Sequence, residues 1–183
     1  MLKEGYVYYI DEKYFANVND NKLMINKGNF NRRPCLFSFR DAKTGLIWVV
    51  PMSTQIEKFR AIEEKQKQRY GKSLGVYICD YCGKDTAFLI QNAFPVLDKY
   101  FIDLPKNIAT PYISEYDSRQ VKSRLKKTLV LSQKGHSVMF TDIRAAEQKM
   151  FAERAKDRSL ANQKAIYKPI TTRAVKPGIK LHK

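Results

Sequence analysis

An α+β domain is the fold class this sequence predicts, and three observations predict it. Residues 36–39 with 46–50, and 74–79 with 86–90, are paired runs of β-branched and aromatic residues around glycine-containing turns, which read as two hairpins. Ile56, Phe59 and Ile62 recur at helical spacing among Glu, Lys, Arg and Gln, predicting a helix over 54–70 that ends at Gly71. With 44% hydrophobic and 12% aromatic residues in 183, the chain holds enough apolar material for a core, which excludes a wholly disordered protein.

Taken in order, residues 6–10 give a first strand and 12–15 a short turn of helix. From Asn17 to Asn31 the chain is rich in Asn, Asp, Lys and Gly. A polar loop of that length is uncommon in a compact domain and is often functional. It ends in Arg32-Arg33-Pro34, bringing two arginines to the mouth of the next strand, either as a solvated basic loop or as an anion contact.

The first hairpin turns at residues 41–45 and closes on Pro51-Met52-Ser53-Thr54, where a strand hands over to a helix N-terminus. Two readings fit that junction. Thr54-Gln55-Ile56-Glu57 matches a capping box. The same free N–H groups, the positive end of the dipole and two hydroxyls also suit a phosphate. One hydroxyl can cap while its neighbour faces a ligand.

After the second hairpin, with its turn at Gly83-Lys84-Asp85, Gln91 and Asn92 interrupt the strand. Such amides either pair loop backbone or bond a base edge. Beyond Pro105 and Pro111, Asp117 or Ser118 caps a helix over 118–134. Val121, Leu125 and Leu129 lie on one side, with Arg119, Lys122, Arg124, Lys126 and Lys127 over much of the rest. Five basic residues with no acid between 118 and 130 suit a solvated surface or a phosphate backbone. Residues 135–140 predict a last short strand. Thr141 or Asp142 then opens a helix with Ile143, Ala146, Met150, Phe151 and Ala155 inward. The domain is expected to span 1–157. The remainder, 158–183, carries seven basic residues and no acidic one, and Pro169 and Pro177 forbid a long helix there. It is expected to be a weakly ordered tail able to settle along RNA.

Thirty-four basic against 18 acidic residues give a net charge of +16 and point to a polyanionic partner, nucleic acid before an acidic membrane surface. No apolar run approaches the roughly 18–20 residues of a membrane span, and the N-terminus lacks the features of a signal peptide. A cytoplasmic protein without a membrane partner is expected. Three cysteines make no disulfide framework. Cys79 and Cys82 imitate half of a zinc knuckle, but Cys35, His136 and His182 stand at no zinc-finger spacing, so two thiols on a strand end are the simpler reading. No metallopeptidase, phosphate-loop or dinucleotide motif is present, nor a carboxylate cluster for paired magnesium ions. No cofactor and no metal are expected.

RNA can be cut by such a chain. Its 2′-hydroxyl attacks the neighbouring phosphorus, so the protein need only position it and neutralise charge. Arg32 and Arg33 enter one strand of the first hairpin, while Ser53, Thr54 and Lys58 follow its partner strand. Residues near 34 and 51 pair across the hairpin, which makes the two groups neighbours.

The opening strand, the loop ending in Arg32-Arg33-Pro34, the hairpin closing on Pro51-Met52-Ser53-Thr54 and the Lys/Glu helix resemble the type III toxin–antitoxin endoribonucleases of the ToxN, AbiQ and CptN kind. The strand end at 88–96 and the basic helix near 118–134 agree, so the likeness covers roughly residues 5–140. The resemblance implies a strongly bent antiparallel sheet of the SH3-like barrel type shared with PemK/MazF toxins, with peripheral helices. It also implies metal-independent RNA cleavage to 2′,3′-cyclic phosphate and 5′-hydroxyl ends, and inhibition by a small structured repeat RNA that closes with the toxin into ring-like assemblies. The substrate would be cellular or phage RNA. Residue by residue, the hydroxyl pair falls on Ser53 and Thr54, and the basic strand-entry residue on Arg33, with Arg32 beside it. Ile56 occupies a spacing where some members have lysine, Lys58 is the nearest replacement, and Phe30 stands where some have an aromatic hydroxyl. The expected catalytic set is Arg33, Ser53, Thr54 and Lys58, with the general base unassigned. The expected RNA contacts are Arg32, Lys65, Gln91, Asn92, Arg119, Lys122, Lys126 and Lys127. A non-catalytic RNA-binding protein is the alternative, and a DNA-binding regulator using the 118–134 helix a third.

Overall fold

The computed structural model describes residues 1–26, 32–108 and 111–166. Seven strands form one antiparallel sheet: β1 (Val7–Ile10), β2 (Cys35–Arg40), β3 (Ile47–Ser53), β4 (Val76–Tyr81), β5 (Lys84–Leu89), β6 (Phe94–Val96) and β7 (Phe101–Ile102). Their order is β4-β5-β3-β2-β1-β7, with β6 added to β3. Four helices pack on it: α1 (Glu12–Val18), α2 (Ile56–Tyr70), α3 (Glu115–Gln133) and α4 (Ile143–Ile166).

The first hairpin forms as its pattern predicts, with Cys35 opposite Pro51, Leu36 opposite Val50 and Phe37 opposite Val49. Its turn is held by Asp41, whose carboxylate accepts from the backbone N–H of Lys43 and Thr44 at 2.9 and 2.7 Å. A bulge falls between Phe37 and Phe39. Without it both rings would share a face; with it Phe37 joins one core and Phe39 the other. The two cores lie on opposite faces. One packs α1 and α4 against Tyr8, Ile10, Phe37 and Phe94. The other packs Val121 and Leu125 of α3 against Leu36, Trp48, Val50 and Phe88. Phe59 of α2 is buried against Val76, Ala87 and Leu89 of the second hairpin.

The α+β architecture stands, but the sheet does not close into a barrel. Its end strands, β4 and β7, do not pair with each other. At the start of β4 the carbonyl oxygens of Ser73 and Val76 accept from the Arg124 guanidinium of α3 at 3.1 and 3.0 Å. β3 is the branch point: Ile47, Trp48 and Val49 pair with β6, and Met52 and Ser53 with β5.

The second hairpin is tighter than expected. Cys82 and Gly83 alone form its loop, both with positive φ (55° and 75°), the backbone of a type I′ turn. Both strands are thereby extended toward the tip, and Tyr81 becomes the direct partner of Lys84.

Two expectations fail near the end of the chain. Residues 135–140 pair with no strand: the His136 N–H donates to the Leu131 carbonyl at the end of α3, and the Phe140 N–H to that of Gln91. In α4, Ala146 and Met150 face inward, but Phe151 and Ala155 are exposed. The helix also runs past 157 to Ile166, because 158–166 contains neither proline nor glycine. The rest of the expected tail lies outside the described residues. Among the described residues, no helix is long and apolar enough to cross a membrane.

Candidate active-site cleft

Where β3 ends, the chain leaves the sheet as Ser53-Thr54-Gln55 and turns into α2. The residues leading into β2 lie directly beside it, with the Met52 N–H donating to the Pro34 carbonyl at 3.0 Å. Arg33 is fixed from two directions. Its guanidinium Nη1 donates to the Met52 carbonyl at 3.1 Å, and its backbone N–H donates to Oδ1 of Asn26 at 2.7 Å. Asn26 is buried and donates in turn to the Ile10 carbonyl at 3.1 Å, so this amide ties the arginine to the first strand.

The capping box does not form. Gln55 is the N-cap of α2 and supplies no side-chain bond. The Ser53 hydroxyl accepts from the Gln55 N–H at 3.3 Å, while Thr54 is exposed.

A cleft of about 850 Å³ opens here, with Arg32, Arg33, Ser53 and Thr54 meeting Tyr81, Lys84 and Thr86 of the second hairpin. Arg32 Nε and Arg33 Nε are buried with no hydrogen-bond partner. The Tyr81 hydroxyl has the Cys82 thiol beside it, and burial, followed by Cys82, raises its pKa above the ordinary phenol value. Each orphaned buried donor costs about 1–3 kcal/mol, and two of them, both on arginines, lie at this opening.

The other residues expected from the sequence fall elsewhere. Lys58 lies outside this cleft, beside Thr54 and Gln55 in a shallow recess at the start of α2, with its ammonium 5.7 Å from the Phe59 ring centroid. Lys65 is exposed on α2. Arg119 pairs with Glu115 at 3.2 Å, and Lys122 with Glu4 at 2.5 Å. Lys126 sits 5.3 Å from the Phe39 ring centroid.

A second groove, of about 990 Å³ between α2, α3 and the segment after α3, gathers Gln91, Lys126 and Lys127 with Tyr70, Lys72 and Phe140. Gln91 and Asn92 are both buried in a 3-10 turn. The backbone of Gln91 bonds Gly75 and Phe140, and its side-chain oxygen faces the Gln66 amide at 3.5 Å, so Gln91 helps to join α2 to the start of β4.

Tyr81, Lys84 and Asn26 were not singled out from the sequence. The tight Cys82-Gly83 turn was the available signal for the first two, obscured because cysteine is an unusual residue in the left-handed region. Cys79 and Cys82 are not joined to each other, and burial pushes the Cys79 thiol up to about 12. Among the described residues, no three His, Cys, Asp or Glu side chains converge as metal ligands.

No protein-family model matches the chain, and no curated protein matches it in sequence. Solved structures do match in fold. AbiQ, a lactococcal anti-phage endoribonuclease of the type III toxin–antitoxin system, superposes with a TM-score of 0.64 and 17% identity, covering 82% of this chain and 98% of AbiQ. A structure from a bacterial antiviral system regulated by a processed non-coding RNA superposes with a TM-score of 0.53 and 13% identity, covering 71% of this chain and 87% of that one. At these identities the likeness is one of fold.

Proposed function

We propose that this protein is a metal-independent endoribonuclease toxin of the type III toxin–antitoxin kind, acting on cellular or phage RNA and restrained by a small structured repeat RNA. The observation that carries this reading is the meeting of Arg33, Ser53 and Thr54 in one cleft whose buried donors lack partners. The shared fold with AbiQ supports it, as does the net charge of +16.

In the reaction, the 2′-oxygen attacks the adjacent phosphorus and loses its proton to a base, while the P–O5′ bond breaks and the 5′-oxygen takes up a proton. The products are a 2′,3′-cyclic phosphate and a 5′-hydroxyl. Charge accumulates on the non-bridging oxygens in the transition state, and donors already in place stabilise it without reorganising. Arg33 is suited to this because its guanidinium is held before substrate arrives. Ser53 and Thr54 supply hydroxyls that orient the phosphate, and Lys58 extends positive charge along the outside of the cleft. Arg32 holds the neighbouring backbone, and Lys65, Arg119 and Lys122 add exposed charge for the RNA. The second groove offers Lys126 and Lys127 beside the exposed rings of Tyr70 and Phe140, a setting for unstacked bases of the inhibitory RNA. An RNA of repeats bound by several toxin copies accounts for ring-like assemblies.

Incubation of the purified protein with mixed RNA in excess EDTA, with mapping of the new ends, tests this reading. Cyclic-phosphate ends that disappear in the Ser53→Ala/Thr54→Ala variant are expected. RNA retained by the protein but left intact would replace the enzyme with a binding protein.

A further inference from the structure

Arg33 occupies one wall of the cleft. The position where the resemblance puts a lysine after the hydroxyls holds Ile56, and Lys58 points its charge outside the cleft. The wall facing Arg33 comes from the second hairpin. Because Cys82 and Gly83 form a two-residue turn, Tyr81 and Lys84 are direct cross-strand partners. Their side chains therefore leave the same face with Cβ atoms roughly 5 Å apart, and both line the cleft.

The charges around this tip are arranged to leave Lys84 uncompensated. Asp85 is engaged by Arg60 of α2, an ion pair that also ties the hairpin to the helix following Thr54. The Asp80 carboxylate accepts from the Gly83 N–H at 3.2 Å and belongs to the turn. Among the described residues Lys84 has no carboxylate partner. The Tyr81 ring packs against the core, and its buried hydroxyl has only the weakly bonding Cys82 thiol beside it. A cation without a counter-ion and a weakly engaged hydroxyl thus share one face of the hairpin.

We propose that Tyr81 and Lys84 are contact residues of the site, holding the non-bridging oxygens of the phosphodiester from the wall opposite Arg33. This assignment rests on the ribonuclease reading and deepens it. The phosphate is gripped from two strands that meet only through the sheet: β2, through the arginine before it, and the β4–β5 tip. Lys84 supplies the charge that Lys58 was expected to supply, and Tyr81 supplies a directional hydrogen bond stronger than the one a thiol offers.

The test uses the full chain, an oligoribonucleotide spanning a mapped cut, and the same oligonucleotide carrying a 2′-deoxy residue at the cut, which binds but cannot react. Single-turnover cleavage is expected to fall about a hundredfold in Lys84→Met and about tenfold in Tyr81→Phe, which keeps the ring in the core. Lys84→Arg should recover most of the rate, and thermal midpoints should stay at the wild-type value. Affinity for the 2′-deoxy oligonucleotide should fall less than the rate in both variants. Wild-type rates in both Tyr81→Phe and Lys84→Met, or a larger loss in Lys58→Met than in Lys84→Met, would overturn the assignment. A wild-type protein that does not cut sinks the reaction instead. The pair is then judged on binding of the 2′-deoxy oligonucleotide, and unchanged affinity in Lys84→Met overturns it as well.

Discussion

Helix α3 and the cleft at the end of β3 both gather arginines and lysines, yet three of the five cations on the helix are engaged while those of the cleft meet no carboxylate among the described residues. On α3, Arg119 pairs with Glu115, Lys122 with Glu4, and Arg124 holds the carbonyls of Ser73 and Val76 while lying 4.6 Å from the Tyr77 ring centroid. In the cleft, Arg32 and Arg33 each keep a buried Nε without an acceptor, and Lys84 has no carboxylate among the described residues. The helix has the denser run of charge in the sequence, but among the described residues only its Lys126 and Lys127, at the second groove, lack a carboxylate. The cleft keeps its charge unpaired throughout. Density of basic residues therefore does not by itself mark available charge; unmet hydrogen-bonding capacity does.

The contrast can be broken most directly at its extremes. Arg33→Ala should reduce cleavage by about 10²–10³. Arg119→Ala should weaken RNA binding by about twofold and lower the salt slope by about one. Equal losses of rate in the two variants would erase the distinction.

A sharper version asks what holds the cleft cation in place. Asn26→Ala removes the acceptor of the Arg33 N–H and the donor to the Ile10 carbonyl. Cleavage should fall about tenfold through misplacement of Arg33, and denaturant unfolding should show a loss of about 1–3 kcal/mol. A loss of stability with no loss of rate per folded molecule would show that the amide serves the fold alone.

The reverse pattern is expected on α3. Arg124→Met should cost about 1–3 kcal/mol in denaturant unfolding, because the Ser73 carbonyl loses its donor and the Val76 carbonyl keeps only the Ser73 hydroxyl. The cleavage rate per folded molecule should stay at the wild-type value. The smallest effect belongs to the exposed pair: Lys122→Ala should change stability by less than about 1 kcal/mol, measured by the same unfolding experiment.

Much of the site was legible because it is built by short-range rules. A short turn between two β-branched and aromatic runs makes the first hairpin, and its register makes residues 33–34 neighbours of 52–54. The helix over 56–70 followed from apolar spacing, and Gly71 ends it with φ of 70°. What the sequence could not determine is which charges find partners. Lys122 meets Glu4 across 118 positions, and Arg124 meets Ser73 across 51, distances over which no local pattern carries information. The same limit separates the places of Lys58 and Lys84. Helical spacing placed Lys58 near the hydroxyls in sequence, but only the two-residue turn and the pairing of β5 with β3 brought Lys84 into the cleft. The sequence by itself determined the strands, the helices and the hydroxyl–arginine neighbourhood, because periodicity is local. The tertiary structure decided the free cations and the second wall, because a charge is free only after every distant partner has been placed.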